Sequence, residues 1–506
     1  MLKANFNKLM RIFLHARISR IEDIRQNSIV LQEDIMKKLI ARGTATSYGK
    51  SYGFEEIRSY KEYSKQLPIV TYENISHHIK SMMEGKSDVL WPGKVTWFAK
   101  SSGTTSEKSK YLPITDEFHI NNLVTSSWDT STIMYDLIPN CKSFGGKNLT
   151  MCGSLNSMEE FPNITVGDVS AIMLQRMPSI GKPFMCPQKD IALLPNWEDK
   201  IALMSKELAH EDVVMFGGVP TWTIVLFERM LKDSGAKNML ELWPNVACFL
   251  HGGVGFEPYK KIFQKYLPKE DFYYIEAYNA SEGYFAIQDN VTGEGMLLLT
   301  NNDIFYEFVP LENLEKTDIE AVELKDVIVG KNYAMVISTS AGLWRYMPGD
   351  TVKFTSKDPY RIKVTGRTKH FINVFGEEVI ISNTDQALKM ACEDFGCIVS
   401  EYTVGPRWLS GSQKGGHEWM IEFERSPINL NLFSLKLDHY LQSVNSDYEA
   451  KRFNNLALDC LKIQSLPKGT FVKWLQSKGK SGGQHKVPRL SNSRQYLEEI
   501  KEFVGQ

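Results

Sequence analysis

Hydrophobic positions in the first half of the chain follow two patterns, helical spacing and short continuous apolar runs. Helical spacing extends from the N-terminus to about residue 40, ends near Gly43, and returns from residue 116 and over residues 221–231. The apolar runs predict strands that lead into glycine-rich or hydroxyl-rich turns, at residues 95–100, 212–218, 247–253 and 273–278. This alternation predicts an α/β layer architecture, in which ligands bind where parallel strands end.

The second half of the chain is richer in strands. After about residue 283, extended patterns predict further strands at residues 295–299, 304–309, 333–338 and 351–354. Near the end, residues 462–494 contain eight basic residues and no acidic residue. This segment predicts an exposed basic loop followed by a short helix, and a merely solvated face is the alternative interpretation.

Size and charge narrow the functional classes. The 506 residues correspond to roughly three domains, or to one large and one small domain. Lys and Arg number 59 against 60 Asp and Glu, so the formal net charge is −1. Since nucleic-acid binding through bulk electrostatics needs an excess of basic charge, we expect no nucleic-acid partner.

Cysteine usage and the N-terminus predict a cytoplasmic protein. Seven cysteines are scattered without a CxxC pair, so we expect neither a structural zinc site nor a disulfide framework. Residues 1–20 are basic and lack the unbroken apolar block of a signal peptide, which favours a surface helix over a transit peptide or a membrane-surface helix. No apolar stretch approaches the roughly 18 residues of a transmembrane helix, so we expect no membrane partner.

The hydroxyl-glycine run at residues 101–106 is the sharpest local signal. Consecutive small residues allow several backbone N–H groups to point at one anion, and Ser and Thr hydroxyls add donors. Lys108 and Lys110 could neutralise phosphate charge. The run is not a Walker loop, because GxxxxGK[ST] is absent. Taken alone, a polar surface turn explains it as well.

A second signal is the segment from Tyr278 to Gly283. Glu282, in a turn after a strand, can hold a hard cation such as Mg²⁺, and Tyr278 can stack on a planar base. A capped helix start is the alternative interpretation. Ser281 is a poor esterase nucleophile, because the GxSxG elbow requires glycine where Asn279 stands.

Two further segments complete an ordered set. Asp350, in a Pro-Gly-Asp turn, could accept hydrogen bonds from two ribose hydroxyls, although ordinary turn chemistry also explains it. Residues 366–377, from Gly-Arg through an apolar segment to a second glycine, would suit a linker between domains, or a β-turn and strand.

In this order, the four segments resemble the adenylate-forming superfamily that includes firefly luciferase and acyl-CoA ligases. More narrowly, the chain resembles the Gretchen Hagen family of auxin-responsive acyl acid-amido synthetases, in its bacterial branch. The resemblance is carried by Ser101-Ser102-Gly103-Thr104-Thr105, by Tyr278-x-x-Ser281-Glu282 and by Tyr346-x-x-Gly349-Asp350. Matches at residues 48–54 and 483–489 extend it over nearly the whole chain.

The resemblance implies an enzyme that activates a carboxylic acid with ATP and then transfers the acyl group to an amine. An acyl-adenylate forms with release of pyrophosphate, and the amine, expected to be an amino acid, displaces AMP. The implied ATP-binding residues are Ser101, Ser102, Gly103, Thr104, Thr105, Tyr278, Ser281, Asp350 and Arg367. Glu282 is implied to bind Mg²⁺ and, with Lys369 and Lys486, to be catalytic. ATP and Mg²⁺ are thus the expected cofactors, and the expected partners are small acids and amines.

The resemblance also implies a division of the chain. We expect a large domain over residues 1–367, with parallel and mixed sheets, flanking helices and a β-barrel-like part. Residues 368–506 are expected to form a small, mobile α+β domain that rotates about a hinge at Lys369. Lys486 is the candidate adenylating lysine, with Lys468 and Lys480 as rivals. Asn373 departs from the lysine that many superfamily members carry there.

Alternatives remain open at this stage. The same adenylate could be passed to a thiol by an acyl-CoA ligase, or the scaffold could be a non-catalytic acyl or nucleotide binder. His251 could line the adenine or acyl pocket or be structural, and the aromatic helix 221–231 could wall an acyl pocket or belong to the core. We expect a monomer.

Overall fold

The computed structural model describes most of the chain. The described residues are 2–101, 110–253, 256–292, 295–314, 316, 319–368, 371–377, 379–408, 415–452, 458–478 and 487–505. Ser102, Gly103, Thr104, Thr105, Lys369, Lys480 and Lys486 lie outside these ranges.

Helices dominate the two ends of the chain. The N-terminal helices are α1 (Leu2–Ala16), α2 (Ile18–Gly43), α3 (Ser47–Ser51), α4 (Tyr60–Gln66) and α5 (Tyr72–Met83). The central helices are α6 (Asp116–Phe118), α7 (Thr125–Leu137), α8 (Val169–Gln175), α9 (Lys189–Ala192), α10 (Trp197–Leu208), α11 (Pro220–Ser234) and α12 (Glu257–Tyr266). The C-terminal helices are α13 (Ile381–Phe395), α14 (Leu430–Val444), α15 (Ser446–Arg452), α16 (Thr470–Ser477) and α17 (Gln495–Gly505). A π-helical segment, His119–Val124, precedes α7.

Strands cover the middle of the chain and recur near its end. The first group is β1 (Trp97–Ser101), β2 (Lys110–Pro113), β3 (Lys147–Thr150), β4 (Leu155–Met158), β5 (Phe161–Gly167), β6 (Met185–Cys186), β7 (Val213–Gly218), β8 (Cys248–His251) and β9 (Tyr273–Ala280). The second group is β10 (Gly283–Ile287), β11 (Met296–Leu298), β12 (Ile304–Pro310), β13 (Val322–Glu323), β14 (Asn332–Thr339), β15 (Asp350–Lys357) and β16 (Tyr360–Arg367). The last group is β17 (Phe371–Ile372), β18 (Val379–Ile380), β19 (Ile398–Arg407), β20 (Gly416–Arg425) and β21 (Lys462–Leu466).

Within the described residues, one sheet of 12 strands crosses the large N-terminal part. Its order is β13-β12-β14-β15-β16-β11-β10-β9-β8-β7-β3-β6. The pairs from β9 through β8, β7 and β3 to β6 are parallel, whereas all pairs from β9 through β10 to β13 along the order are antiparallel. The expected β-barrel-like part corresponds to these antiparallel strands, which continue the same sheet. The predicted α/β class with mixed sheets is confirmed.

The parallel strands are apolar because helices cover them. The same helices connect the strands along the chain. α11 links β7 to β8, and α12 links β8 to β9, as parallel strands require a crossover connection. Phe216 of β7 packs between Phe249 of β8 and Phe227 of α11, with ring centroids 4.5 and 5.3 Å apart. This aromatic core holds the parallel strands in place side by side. It therefore also positions the turns that follow the strands, at one edge of the sheet.

Residues after β16 form sheets of their own. β17 pairs with β18, and β19, β20 and β21 form a three-stranded sheet covered by the C-terminal helices. In this part, a buried hydrogen bond joins His417 Nε2 and Glu377 Oε1 at 2.8 Å, and a buried ion pair joins Arg452 and Asp438 at 2.7 Å. The part also packs on the large sheet, because the Tyr259 hydroxyl donates to the Val374 carbonyl at 2.8 Å.

Candidate functional site

A large cavity lies at the carboxyl ends of β7, β8 and β9, where the parallel part of the sheet stops. Its volume is about 880 Å³, near the upper end of the range for small-molecule sites. Turns from four separate parts of the chain contribute to the wall, and six of the expected site residues belong to it: Ser101, Tyr278, Ser281, Glu282, Asp350 and Arg367. The separated segments therefore meet around one space, as expected if they bind one nucleotide.

Asp350 joins two of the other predicted residues. Its Oδ2 accepts a hydrogen bond from the Tyr278 hydroxyl at 2.6 Å, and its Oδ1 lies 2.8 Å from Arg367 Nε. The salt bridge follows from strand register, since β15 and β16 pair Asp350 directly opposite Arg367. Burial and the Asp350 carboxylate raise the pKa of Tyr278 well above its ordinary value, so its hydroxyl stays protonated and donates.

Glu282 lies in the tight turn between β9 and β10. The two strands pair antiparallel up to Ala280 and Gly283, so the alternative interpretation of a helix start here is wrong. Glu282 is 7% exposed, and burial, with the Asp350 carboxylate, raises its pKa to about 7. The nearby cations of Lys110 and Arg367 oppose that rise. A cation entering the cavity would favour the ionised form of this carboxyl group.

The hydroxyl-rich turn is described only at its edges. Ser101 ends β1 and lines the cavity, and Lys110 begins β2 and is buried. β1 and β2 are antiparallel, and Ser101 pairs with Lys110 across the strands. The intervening residues lie outside the described part of the chain, but this pairing brings both ends of their segment to the cavity rim.

His251 and the helix α11 divide between wall and core. His251 lines the cavity, stacks on Phe256 at 4.2 Å between ring centroids, and is 5% exposed. Its burial lowers its pKa to about 3, so the ring is neutral, and its Nδ1 has no hydrogen-bond partner among the described residues. On α11, Trp222 lines the cavity whereas Phe227 is fully buried. The aromatic helix therefore contributes one residue to the cavity wall and another to the core.

The residue after His251 shows why glycine follows β8. A Cβ atom at Gly252 would lie 2.3 Å from the carbonyl oxygen of Ala277 on β9. Any side chain would push the two strand ends apart, because backbone atoms cannot move aside as a flexible side chain can. Glycine here lets the wall between His251 and Tyr278 close.

The C-terminal part contributes to the same cavity. Asn373, Val374, Trp408 and Asn492 belong to the wall. The backbone N–H of Asn373 donates to Asn492 Oδ1 at 2.8 Å. Lys451 Nζ lies 4.1 Å from the centroid of the Trp222 ring, a cation–π contact between the two parts. The cavity is thus bounded by both.

Sequence reasoning missed most of the cavity wall. The apolar wall on α7, on α8 and on the segments just before and after β3 includes Trp128, Met134, Phe144, Met151 and Met173. The chain contains 20 methionines, and their number was the available signal, because flexible thioethers are typical of adaptable binding surfaces. Their positions were not predictable, because lining a cavity and packing in a core require the same apolar side chains.

The donor set fits a magnesium ion that arrives with a nucleotide. Among the described residues, no group of three or more His, Cys, Asp and Glu side chains could hold a metal ion. Mg²⁺ in nucleotide sites usually takes one or two protein carboxylates, with phosphate oxygens and waters completing the octahedron. Glu282, buried at the cavity wall, meets that requirement without further protein ligands.

The mixed sheet, the cavity at its strand ends and the separate small sheets form an architecture that two solved structures share. The chain superposes on AtGH3.15 acyl acid amido synthetase in complex with 2,4-DB with a TM-score of 0.63 and 18% identity, covering 97% of this chain and 96% of that chain. It superposes on 2-hydroxyisobutyryl-CoA ligase with a TM-score of 0.57 and 14% identity, covering 94% and 92%.

Three family models match the chain in order. They are the GH3 family N-terminal domain over residues 17–219, the central domain over 297–367 and the C-terminal domain over 382–495. The chain belongs to the GH3 family, which confirms the family predicted from its motifs. Indole-3-acetic acid-amido synthetase GH3.3 of Arabidopsis thaliana is 23% identical over 540 aligned residues, with 93% of this chain and 90% of that protein covered.

Proposed function

We propose that this chain is an ATP-dependent acyl acid amido synthetase. The acid's carboxylate oxygen attacks the α-phosphorus of ATP, and the bond to pyrophosphate breaks. The amine of an amino acid then attacks the acyl carbonyl of the adenylate, forming the amide and releasing AMP and a proton. The observation that carries the proposal is the single cavity in which Tyr278, Glu282 and Asp350 face a large apolar chamber. The name of the relative GH3.3 supports an amino acid as acceptor.

The first step requires positive charge at the reacting phosphate. Two anions approach each other, and the leaving pyrophosphate carries further negative charge, so cations in a water-poor site lower the barrier. We assign this role to Arg367, to Lys110 beside Glu282, and to the ion that Glu282 would hold. When bound, Mg²⁺ neutralises phosphate charge and orients the triphosphate.

The remaining nucleotide contacts follow the same geometry. In the proposal Asp350 uses the lone pairs left after binding Tyr278 and Arg367 to accept from the ribose hydroxyls, and the Tyr278 ring flanks adenine. Ser281 lies beside the α-phosphate. Ser101, with the residues Ser102, Gly103, Thr104 and Thr105, cradles the β- and γ-phosphates.

The division of labour between two domains is part of the proposal. Residues 1–367 bind ATP and acid, and residues 368–506 form a small domain that rotates about Lys369 between the two half-reactions. In this proposal Lys486 assists adenylation. The division is supported by the end of β16 at Arg367 and by the separate pairing of β17 to β21.

The acyl-CoA ligase is the second candidate function, favoured by the superposition on 2-hydroxyisobutyryl-CoA ligase. It shares the first half-reaction and differs only in the nucleophile. A non-catalytic acyl or nucleotide binder is the remaining alternative, and it would bind the same ligands without turnover.

Carboxylate-dependent ATP–pyrophosphate exchange tests the adenylation. We expect exchange with at least one acid from a panel of aryl, indolyl and aliphatic acids. At a fixed, low Mg²⁺ concentration the exchange rate should fall in Glu282→Gln but not in the matched exposed control Glu160→Gln. Absence of exchange with every acid would reject the proposal. Two measurements then separate the amido synthetase from the acyl-CoA ligase: AMP release with amino acids compared with AMP release with CoA, and mass spectrometry of the amide product. Turnover with CoA alone would reject the amido synthetase.

Finer assignments belong to the same proposal. Membership of the bacterial branch of the family is part of the proposal. We further propose a monomer that acts in the cytoplasm on small molecules, without nucleic-acid partners. Within the described residues, no helix has the length and apolar character needed to cross a membrane.

A further inference from the structure

The cavity extends far beyond the residues expected to bind the nucleotide. Tyr278 on β9 and Met185 on β6 both belong to its wall, and β6 lies four strand spacings from β9 in the sheet order. At about 4.8 Å per spacing, the cavity crosses about 19 Å of the sheet. We call the part beyond the predicted nucleotide residues, on β3, β6, β7, α7 and α8, the acyl chamber.

The wall of the acyl chamber is apolar and deformable. Six methionines line it: Met134, Met151, Met173, Met177, Met185 and Met215. Methionine is unbranched and flexible, so such a wall adapts to a flexible chain.

Polar side chains at the far end of the chamber are already satisfied. Ser127 and Ser131 donate to carbonyls one turn earlier in the helical segment, Leu123 at 2.7 Å and Ser127 at 3.0 Å. The Asn148 amide donates to the Ser143 and Phe184 carbonyls, and its Oδ1 accepts from the Ser143 hydroxyl. The donors of these residues are therefore all in use, and a polar group on the ligand would find only remaining hydroxyl lone pairs.

Positive charge is confined to the nucleotide end. Arg367 is the only lysine or arginine among the described residues that line the cavity, and it is bound to Asp350. A second carboxylate on the acid would lie in the chamber without a counterion, which is strongly unfavourable. The chamber therefore selects acids with a single carboxylate.

The chamber ends at an aromatic floor made by Trp128, Phe144 and Phe184. Trp128 and Phe144 are stacked with ring centroids 6.0 Å apart, and Phe144 meets Phe184 at 5.4 Å. From behind, α1 supports the floor through Phe6, 5.3 Å from Phe184, and Phe13, 5.7 Å from Trp128. Because α1 supports them, these rings set a fixed end to the deformable chamber.

We propose that the acyl chamber binds the tail of a straight-chain aliphatic monocarboxylic acid, and that the aromatic floor sets the longest tail accepted. The proposal rests on the proposed function and names its acid substrate. The carboxylate lies at Ser281 and Glu282, the tail runs along the methionine wall, and its end meets the Trp128 ring. A one-ring or two-ring acid is too short to reach from one end to the other.

Binding and exchange measured separately test the proposal. Binding of hexanoic, decanoic and tetradecanoic acids to the full chain is measured by calorimetry without ATP, with indole-3-acetic acid and decanedioic acid as comparators. We expect affinity to rise about tenfold for each two methylenes until the tail meets the floor, and decanedioic acid to bind weakly. ATP–pyrophosphate exchange is then measured with the same acids.

Two variants move the floor in opposite directions. Ser131→Phe adds a ring inside the chamber without removing packing, and should lower exchange with long acids about tenfold more than exchange with hexanoic acid. Phe184→Leu opens the floor and should extend the accepted length. Thr125→Phe, on the same helix but outside the cavity wall, is the control and should leave the chain-length profile of the native protein.

The outcomes separate the two proposals. The aliphatic-tail proposal is overturned if indole-3-acetic acid binds more tightly than every straight-chain acid, or if Ser131→Phe lowers exchange equally for all acids. In either case, exchange with any acid would still support the synthetase proposal. If binding depends on chain length but no acid supports ATP–pyrophosphate exchange, the synthetase proposal is rejected and the proposed tail site is still supported. A profile that shifts as described, in both assays, supports both.

Discussion

Replacing Asp350 by asparagine probes the centre of the proposed nucleotide site. The carboxylate already accepts from the Tyr278 hydroxyl at 2.6 Å and faces Arg367 Nε at 2.8 Å. About two of its roughly four lone-pair directions are left for ribose hydroxyls. Asparagine keeps the shape but loses the charge and one acceptor oxygen, and its amide N–H₂ would meet another donor, the Arg367 guanidinium.

The expected loss can be worked from these contacts. Hydrogen bonds to charged groups are worth about 1.5–3 kcal/mol each. Losing two of them to the ribose lowers transition-state binding by about 3–6 kcal/mol. At about 1.4 kcal/mol per tenfold, Asp350→Asn should lower kcat/KM for ATP about 10²- to 10⁴-fold.

The assay compares ATP with its 2′-deoxy and 3′-deoxy analogues in ATP–pyrophosphate exchange. The native protein should discriminate strongly against both analogues, and Asp350→Asn should lose that discrimination, because the interaction that reads the hydroxyls is gone. Asp136→Asn, at an exposed position outside the cavity, removes the same charge and serves as the control. An Asp350→Asn protein that folds like the native one and still discriminates against the deoxy analogues would refute the ribose contact.

Three further changes test the fold and the site. Arg345→Met should lower the free energy of unfolding by about 3–5 kcal/mol, because it leaves the fully buried Glu307 unpaired. Urea denaturation measures this loss. A double variant, Arg345→Met with Glu307→Leu, that is no more stable than Arg345→Met alone would contradict the reasoning. His251→Asn should make stability less sensitive to acid: the native pKa of about 3 lies below that of the unfolded state, so the unfolded protein alone gains the proton as pH falls. Between pH 7 and 5 the native protein should lose about 2 kcal/mol more than the variant in urea titrations, and equal losses would show that the ring is not desolvated. Glu282→Gln should raise the Mg²⁺ concentration for half-maximal exchange at least about tenfold, and an unchanged Mg²⁺ titration would remove Glu282 from the metal.

Much of the fold could be predicted because strands and helices leave periodic patterns. The strands β7, β8 and β9 were predicted at residues 212–218, 247–253 and 273–278, and β12, β14 and β15 were also predicted near their observed positions. The turn at Glu282 was less certain from the sequence, since Ser-Glu is typical of both a helix start and a strand turn. The antiparallel pairing of β9 with β10, which only the structure shows, decided that Glu282 lies in a strand turn.

The sequence by itself determined the order of the chemical groups along the chain: the hydroxyl-rich turn, Tyr278, Glu282, Asp350 and Arg367. Only the tertiary structure decided that the described members of this set share one cavity, that Asp350 lies between Tyr278 and Arg367, and that the cavity continues to Trp128 on α7 and to Phe184 just before β6. The reason is physical. A short motif encodes local hydrogen-bonding chemistry, whereas the shape of a cavity arises from apolar side chains that look the same in sequence whether they face another side chain or an empty space.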